Sequence, residues 1–514
     1  MKIETAAADI WREHDKAVAY NNGINLYDNV KQNENFFIGK QWEGLNAPDL
    51  DKPVLNFLKR VVAYFISMIV TDNIAAEITP HIKTDDSLTV CDFLSKEVKK
   101  VIEVQKIISK NRDILRDMAV DGDGCAYVYF DSKTGRIAFE IVENTRIEFG
   151  NPYIQDVQKQ PYVTIVQPVL LSSARELAKA ENIDEGLIKP DYEEAGTDKT
   201  DNAGADRVTV LVKFWRNPKT GTIWFCKTTK NCVLKKPTDT KYAIYPIAYG
   251  VWDRIKNSYH GQAALTGLIP NQIAVNKLWA MALRHMHMSA FPTVLFNKQK
   301  MDQWTNRVGA AIAVNGDPNE AVAGNFRPAE MSAQLINVVD KTISMTRDFM
   351  GASDAALGNV KPDNTSAIIA VQKASSAPLE LQKLGFYAFV EDYVRIIIEI
   401  ITKDYGMRSV AIADENGNER LSQFDFGSVD LEQYDINVEI GAAAYWSELS
   451  QIQTLDNLYD KGLITDPEIY IEGIPDGYIK DKSKIVKSIK SALQEQERMQ
   501  AQTMGGDINA MPIM

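Results

Sequence analysis

The chain has 514 residues, 45% of them hydrophobic and 25% charged, with a formal charge of −12. That length exceeds what one hydrophobic core serves, so several subdomains are expected, and the balance excludes a disordered or fibrous chain. The acidic charge excludes a general nucleic-acid binder, because such binding rests on lysine and arginine neutralising phosphates, but it leaves room for DNA held loosely in a passage.

Residues 5 to 45 read as helical, with Ile10, Trp11 and Val18 and later Tyr27, Val30, Phe36 and Phe37, until Gly39 and Gly44 break the pattern. Val54 to Val70 follows as a buried helix opened by Asp51 to Pro53, and its most apolar run, Val61 to Val70, is too short to cross a bilayer. AAEITPHI then alternates like a short strand. Asp85 to Met118 reads as one long amphipathic helix, ended by DGDG at 121–124. CAYVYFD and RIAFEIVE alternate on either side of SKTG, which predicts a β-hairpin. Tyr162 to Val166 is a further strand and Ser172 to Ile188 a short helix. The stretch 191–206 is acidic and nearly free of apolar residues, which predicts a mobile loop. A second hairpin pairs RVTVLVKFWRN with TGTIWFCKT across PKTG.

From Tyr259 the pattern is helical, with an interruption expected near Pro270. PTVLF (292–296), a short helix from Lys298 to Arg307 and a strand at 309–314 make a small β-α-β insert before the turn NGDPNE. A helix over 329–350 follows Pro328, then the loop GASDAALGNVKPDN at 351–364. A helix capped by Asn364 runs on to Tyr405, about 60 Å at 1.5 Å per residue, with Pro378 inside it as an expected kink. A helix that long suits a large assembly better than one globule. Strands SVAIAD and ERLSQFDF flank ENGN, and a strand in DINVEIGAA precedes helices at 447–462, 466–473 and 482–500. The last twelve residues are expected to be disordered. The fold class is α+β, mainly helical.

No Walker A, G-x-S-x-G or H-E-x-x-H motif occurs. His285 and His287 lie two apart on a predicted helix and so point to different faces, which favours ordinary packing over a metal site. Cys91, Cys125, Cys226 and Cys232 form no C-x-x-C pair, as in a reducing compartment; Cys226 and Cys232 flank a turn and could approach each other, without two further metal ligands. The N-terminus lacks the apolar stretch of a secretory signal. Ser132, twelfth from Asp121, excludes an EF-hand in DGDG, so a helix-to-strand turn is favoured there. The alternative is a metal-dependent nuclease or phosphohydrolase using Asp121 and Asp123. Lys480, Lys482, Lys484, Lys487 and Lys490 read as a solvated helix face, with a contact to nucleic acid or an acidic partner as the alternative. No cofactor and no metal is expected.

Taken together, NENFFIGKQW with KPVLNFLKRVV, then PIAYGVWDRIKNSYHGQAALTGLIPNQIAVNKLWA, the insert between two helices, the Gly/Pro/Asn loop, the long helix and IGAAAYWSELSQIQTLDNLYDKGLI resemble a tailed-bacteriophage portal protein, the subunit of the head-to-tail connector ring. The order of these elements over about residues 20 to 480 carries the resemblance. It implies a portal fold: a wing (1–261 and 365–445), two stem helices (262–289 and 329–350), a clip (290–328), a tunnel loop (351–364), a crown (446–500) and a tail (501–514). It implies a ring, usually of twelve copies, at the portal vertex of the virion, assembled in the host bacterial cytoplasm and in contact with no membrane.

The tunnel loop would present Gly351, Asp354, Gly358, Asn359, Lys361, Asp363 and Asn364 to double-stranded DNA. The clip would offer Lys298, Lys300, Arg307 and Asp317 to the terminase large subunit and to head-completion or tail adaptor proteins. The major capsid or scaffolding protein would surround the ring. Between 329 and 404 stand ten acids against seven bases, which suits DNA that must slide. The resemblance implies no catalysis by the chain itself. A non-ring minor capsid or tail adaptor is the remaining alternative.

Overall fold

A computed structural model describes residues 3–48, 50–70, 74–82, 84–191, 206–291, 293–305, 307, 311–326, 334–349, 379–413, 419–431, 434–440, 452–464, 467–474, 485 and 488. Helix and antiparallel sheet are mixed along the chain, an α+β fold. No helix among the described residues is long and apolar enough to cross a membrane.

Two sheets organise the larger part. The first has three strands in the order β3-β2-β9, with β2 at Asp123–Asp131, β3 at Arg136–Val142 and β9 at Ile247–Val251. The second is a five-stranded meander of β4 (Ile147–Phe149), β5 (Tyr162–Leu170), β6 (Arg207–Arg216), β7 (Ile223–Thr228) and β8 (Val233–Asp239). The two predicted hairpins are β2–β3 and β6–β7, and one turn chemistry makes both. Asp131 Oδ1 accepts from the Lys133 N–H at 3.0 Å and Asn217 Oδ1 from the Lys219 N–H at 3.0 Å. Each loop closes on a glycine of positive φ, Gly135 or Gly221.

Strict alternation sorts the faces of β6. Val208, Val210, Val212 and Phe214 face a core shared with helix α6 (Leu171–Ala180), whose Ala174 and Ala178 meet them. Leu211 and Trp215 face the opposite way, against Ile10 of α1 (Ala7–Gly23). Lys213 lies on that second face, fully buried, with its ammonium 2.5 Å from Glu13 and 2.9 Å from the Glu4 carbonyl. Beside it His14 Nδ1 lies 2.6 Å from Glu148 Oε1.

The three-stranded sheet packs among α2 (Leu26–Ile38), α3 (Phe57–Ile69), α4 (Asp85–Val104), α5 (Ile107–Asp121) and the helix Glu380–Asp404. That last helix buries Phe386, Phe389, Val390, Tyr393 and Val394 on one face, with Ala388, Asp392 and Arg395 exposed opposite, and is buried on every side over 396–401. Each such Ile or Phe contributes about 1.5–3 kcal/mol on burial. A Cβ on Gly250 would lie 2.6 Å from Met118 Cε and 3.3 Å from Phe389 Cβ, so the bare strand lets two helices close on the sheet. Glu399 and Asp404 fasten its far end by accepting from the Ala243 N–H and the Tyr242 hydroxyl. Two smaller pairs complete the layer: β1 (Ile74–Pro80) with the strand Tyr434–Ile440, and the hairpin of Met407–Ala413 with Glu419–Asp425.

Several expectations change. The helix expected over 85–118 is two helices, because Lys106 takes a left-handed turn (φ 52°) that buries Ile107 completely and leaves Val104 exposed. The helical stretch 5–45 likewise breaks at Asn25 (φ 56°). Pro270 does not interrupt its helix, which runs unbroken over Ala264–Ala290. The proline sits on the exposed side of the helix, while buried Leu268, Ile269 and Gln272 hold the other side. The insert is not β-α-β. Its first strand, β10 (Thr293–Phe296), pairs antiparallel with β11 (Val322–Phe326), so residues 311–314 are not strand and no helix is present among the described residues between 298 and 307. The loop 351–364, Pro378, the acidic stretch 192–205, most of 446–500 and the tail lie outside the described residues.

Candidate assembly site

The helix Ala264–Ala290, hereafter α7, pairs with α8 (Gln334–Phe349) and leads into the β10–β11 insert. Its N-terminal half is fixed to the rest of the body by buried polar groups. At its approach, Asp123 Oδ1 accepts from the Gly261 N–H at 2.6 Å and Asp123 Oδ2 lies 2.5 Å from His260 Nδ1, with both side chains buried. The far ring nitrogen of His260 lies 3.3 Å from Asn21 Oδ1 of α1. The backbones touch at the same point. Gly122 (φ 103°) ends α5, and a Cβ there would lie 2.6 Å from the Gly261 carbonyl oxygen. Only glycine serves such a crossing.

Further along α7 the clamps continue. Asn33 of α2 donates to Thr266 Oγ1 and to the Val120 carbonyl, both at 2.8 Å. Gln272 donates to the Leu55 carbonyl at 2.8 Å, and Asn276 donates to Gln41 Oε1 at 2.6 Å. Asn271 donates to Thr346 Oγ1 of α8 at 3.0 Å, joining the two helices. These pairs span 75 to 235 residues of sequence, and no local pattern announces them.

Beyond Ala280 the character reverses. Met281 is 58% exposed, and Met286, Met288 and Phe291 are exposed after it; on α8, Ile336, Val338 and Met345 are exposed too. Val338 and Val339 divide one step of the helix, the first 51% exposed and the second buried. A run of large apolar side chains left in water on two paired helices marks a surface that another molecule covers.

The insert carries its own small core. Met301 and Ala321 are buried, and Asn297 accepts the Met301 N–H at 3.0 Å through its backbone oxygen. Lys300 is engaged in an ion pair with Glu320. Asp317 caps the turn Pro318–Glu320, accepting from the Asn319 N–H at 2.9 Å. Of the four clip residues expected to meet a partner, Lys300 and Asp317 therefore also hold the insert together, while Lys298 and Arg307 are exposed. The seven tunnel-loop residues, Gly351, Asp354, Gly358, Asn359, Lys361, Asp363 and Asn364, and the kink residue Pro378 lie outside the described residues.

The DGDG carboxylates are not arranged for metal chemistry. Asp123 is committed to His260 and Gly261, and Asp121 has its carboxyl pushed up to about 7 by burial and by Asp117 beside it. Among the described residues no group of three His, Cys, Asp or Glu converges. His285 and His287 separate as expected: one lies 3.5 Å from Ser289 Oγ, the other 3.8 Å from Asp51. Cys226 faces α1 and Cys232 faces the opposite core, so they do not meet.

A family model, Phage P22-like portal protein, matches residues 164–445, more than half of the chain. The chain belongs to that family. It is a phage portal protein, of a family that is structural and non-enzymatic in general and a component of the phage capsid. The match begins within β5 and takes in α7, the insert, α8 and Glu380–Asp404. The portal chain's first 163 residues lie outside the match, yet α2 and α5 clamp α7 from there. No curated protein matches the chain.

Proposed function

We propose that the chain closes into a homo-oligomeric ring at one capsid vertex, where it is the channel for genome packaging and ejection. In this reading α7 and α8 are the stem, residues 290–328 the clip, 351–364 the tunnel loop facing double-stranded DNA, 446–500 the crown, and the body built from 1–261 and 365–445 the wing. The clip is the docking platform for the terminase large subunit and later for head-completion or tail adaptors, through Lys298 and Arg307 with Lys300 and Asp317 behind them. The wing rim meets the capsid or scaffolding protein.

The observation that carries the reading is the apolar surface of α7 and α8 beyond a rigidly clamped base. Identical stems placed side by side about an axis bury that surface against each other, and a heterologous contact whose rotation closes gives a ring. Mass photometry of the purified protein tests it. Twelve copies of a 57.6 kDa chain weigh about 0.7 MDa. A single species at the mass of one chain at micromolar concentration overturns the ring.

A further inference from the structure

Away from the stem, a groove runs between the β2–β3 hairpin and the five-stranded sheet. It consists of two adjoining cavities of about 520 and 400 Å³ that share Tyr127, Tyr129 and Lys227. Tyr127 and Tyr129 stack at 4.8 Å and form one wall; Phe214 and Phe225, also stacked, stand in the wall of the larger cavity. Such flat, apolar sides suit the body of a ligand.

The charges inside are unevenly satisfied. Lys227 on β7 stands directly opposite Lys235 on β8 in the strand register. Like charges in that relation repel unless an anion sits between them. Lys133 and Lys241 line the same cavity. None of these four ammonium groups donates a hydrogen bond or ion pair to another described residue; the only partner of Lys235 is the Phe225 ring at 5.3 Å. The acids nearby are already engaged. Asp131 accepts from the Lys133 N–H and the Thr134 hydroxyl, Asp239 from the Lys241 N–H, Asp404 from the Tyr242 hydroxyl, and Glu140 from the Tyr129 hydroxyl. Glu181 is exposed at the rim. Burial and the facing Lys235 hold the Lys227 ammonium below the usual lysine range.

We propose that this groove binds an extended acidic peptide segment of a partner protein, one carboxylate bridging Lys227 and Lys235 and a neighbouring apolar side chain lying against the stacked tyrosines. The smaller cavity is lined by Glu140 and by Glu143, the latter paired with Arg146. A nucleic acid strand, negative at every step, meets like charge there, whereas a peptide places its acids at intervals. The inference stands apart from the ring: it concerns a surface that one folded chain already carries.

The test is fluorescence anisotropy on the full chain with a fluorescein-labelled octapeptide of alternating glutamate and leucine. Saturable binding is expected, weakened at least about tenfold by Lys227→Gln and by Lys235→Gln, the loss of one charge-assisted pair. Both variants melt at or above the parent temperature, because each removes one of two facing ammonium groups that repel. A ¹³C-methylated Lys227 titrates at higher pH with the peptide bound than without. The proposal falls if the octapeptide fails to bind, if both variants bind it like the parent, or if glutamine replaces its glutamates without effect. It also falls if inorganic phosphate or an oligo-dT displaces the peptide at equal concentration.

Discussion

The two ends of α7 are opposites. From His260 to Asn276 the chain is held by buried polar pairs, with Asp123, Asn33, Gln272 and Asn276 each bonded to a residue distant in sequence. From Met281 to Phe291 four large apolar side chains, Met281, Met286, Met288 and Phe291, are exposed among Arg284, His285 and His287. The joint also buries Leu265, Leu268, Ile269 and Val275, so its polar pairs add to an apolar contact, whereas the tip leaves apolar side chains uncovered. Buried polar pairs are a weak source of net stability but impose one geometry, because a shifted register leaves desolvated groups unpaired. The joint therefore sets direction, and the tip supplies area for whatever lies beside it.

The comparison breaks first at the joint. Asp123→Ala leaves the Gly261 N–H and the His260 ring without their acceptor inside the body and should cost about 3 kcal/mol, seen as an earlier urea midpoint at unchanged slope. A midpoint equal to the parent's would mean that the pair anchors nothing.

Asp121, one turn of backbone away, sharpens the point from the other side. Its carboxyl is pushed up to about 7, above the ordinary 3.8. A raised carboxyl pKa gives a contribution that is complete below the unfolded value and lost as pH rises through the folded one. The loss thus accumulates between about pH 4 and pH 7. Asp121→Asn should match the parent at pH 4 and exceed it by about 2 kcal/mol at pH 8, after discounting for partial solvent screening. A gain that is the same at both pH values would place its cause elsewhere.

A second polar joint, between α1 and the five-stranded sheet, should behave like the joint of α7 on a smaller scale. His14 has its pKa raised by the hydrogen bond and charge of Glu148 against the burial that opposes them, and Glu148 is itself raised by burial. For a raised histidine the contribution is complete below about 6.5 and lost as pH climbs through the folded value. His14→Gln should therefore cost about 1 kcal/mol at pH 6 and less at pH 8.5, read by thermal melts at both. A larger cost at the higher pH reverses the assignment.

At the tip the expected effect on the folded subunit is smallest. Met281→Asp with Phe291→Asp should change subunit stability by no more than about 0.5 kcal/mol, since both side chains already face water. The same double variant should shift the particle mass from ring to single chain. Unchanged rings would show that these side chains are not the contact. Lys300→Ala, which removes an ion pair to an exposed glutamate, should likewise stay within about 0.5 kcal/mol.

The sequence by itself determined whatever depends on neighbours a few residues away. Alternation in β2, β3, β6 and β7 and the Lys-Thr-Gly turns settled both hairpins, because turn and strand preferences act within four or five residues. The order of segments around α7 sufficed for the family. Only the tertiary structure decided the rest. Lys106 and Asn25 take left-handed turns because the body rewards burial of Ile107 and Leu26; no glycine or proline marks the first break, while at the second Gly23 closes α1 two residues before Asn25. Pro270 stays inside α7 because packing on one side outweighs one lost bond on the other. β10 found Val322–Phe326 instead of the nearer 311–314, and Asp123 found His260 across 137 residues. Such pairings are chosen by the shape of the folded body, which fixes which distant groups meet, and periodicity in the chain carries no record of that choice.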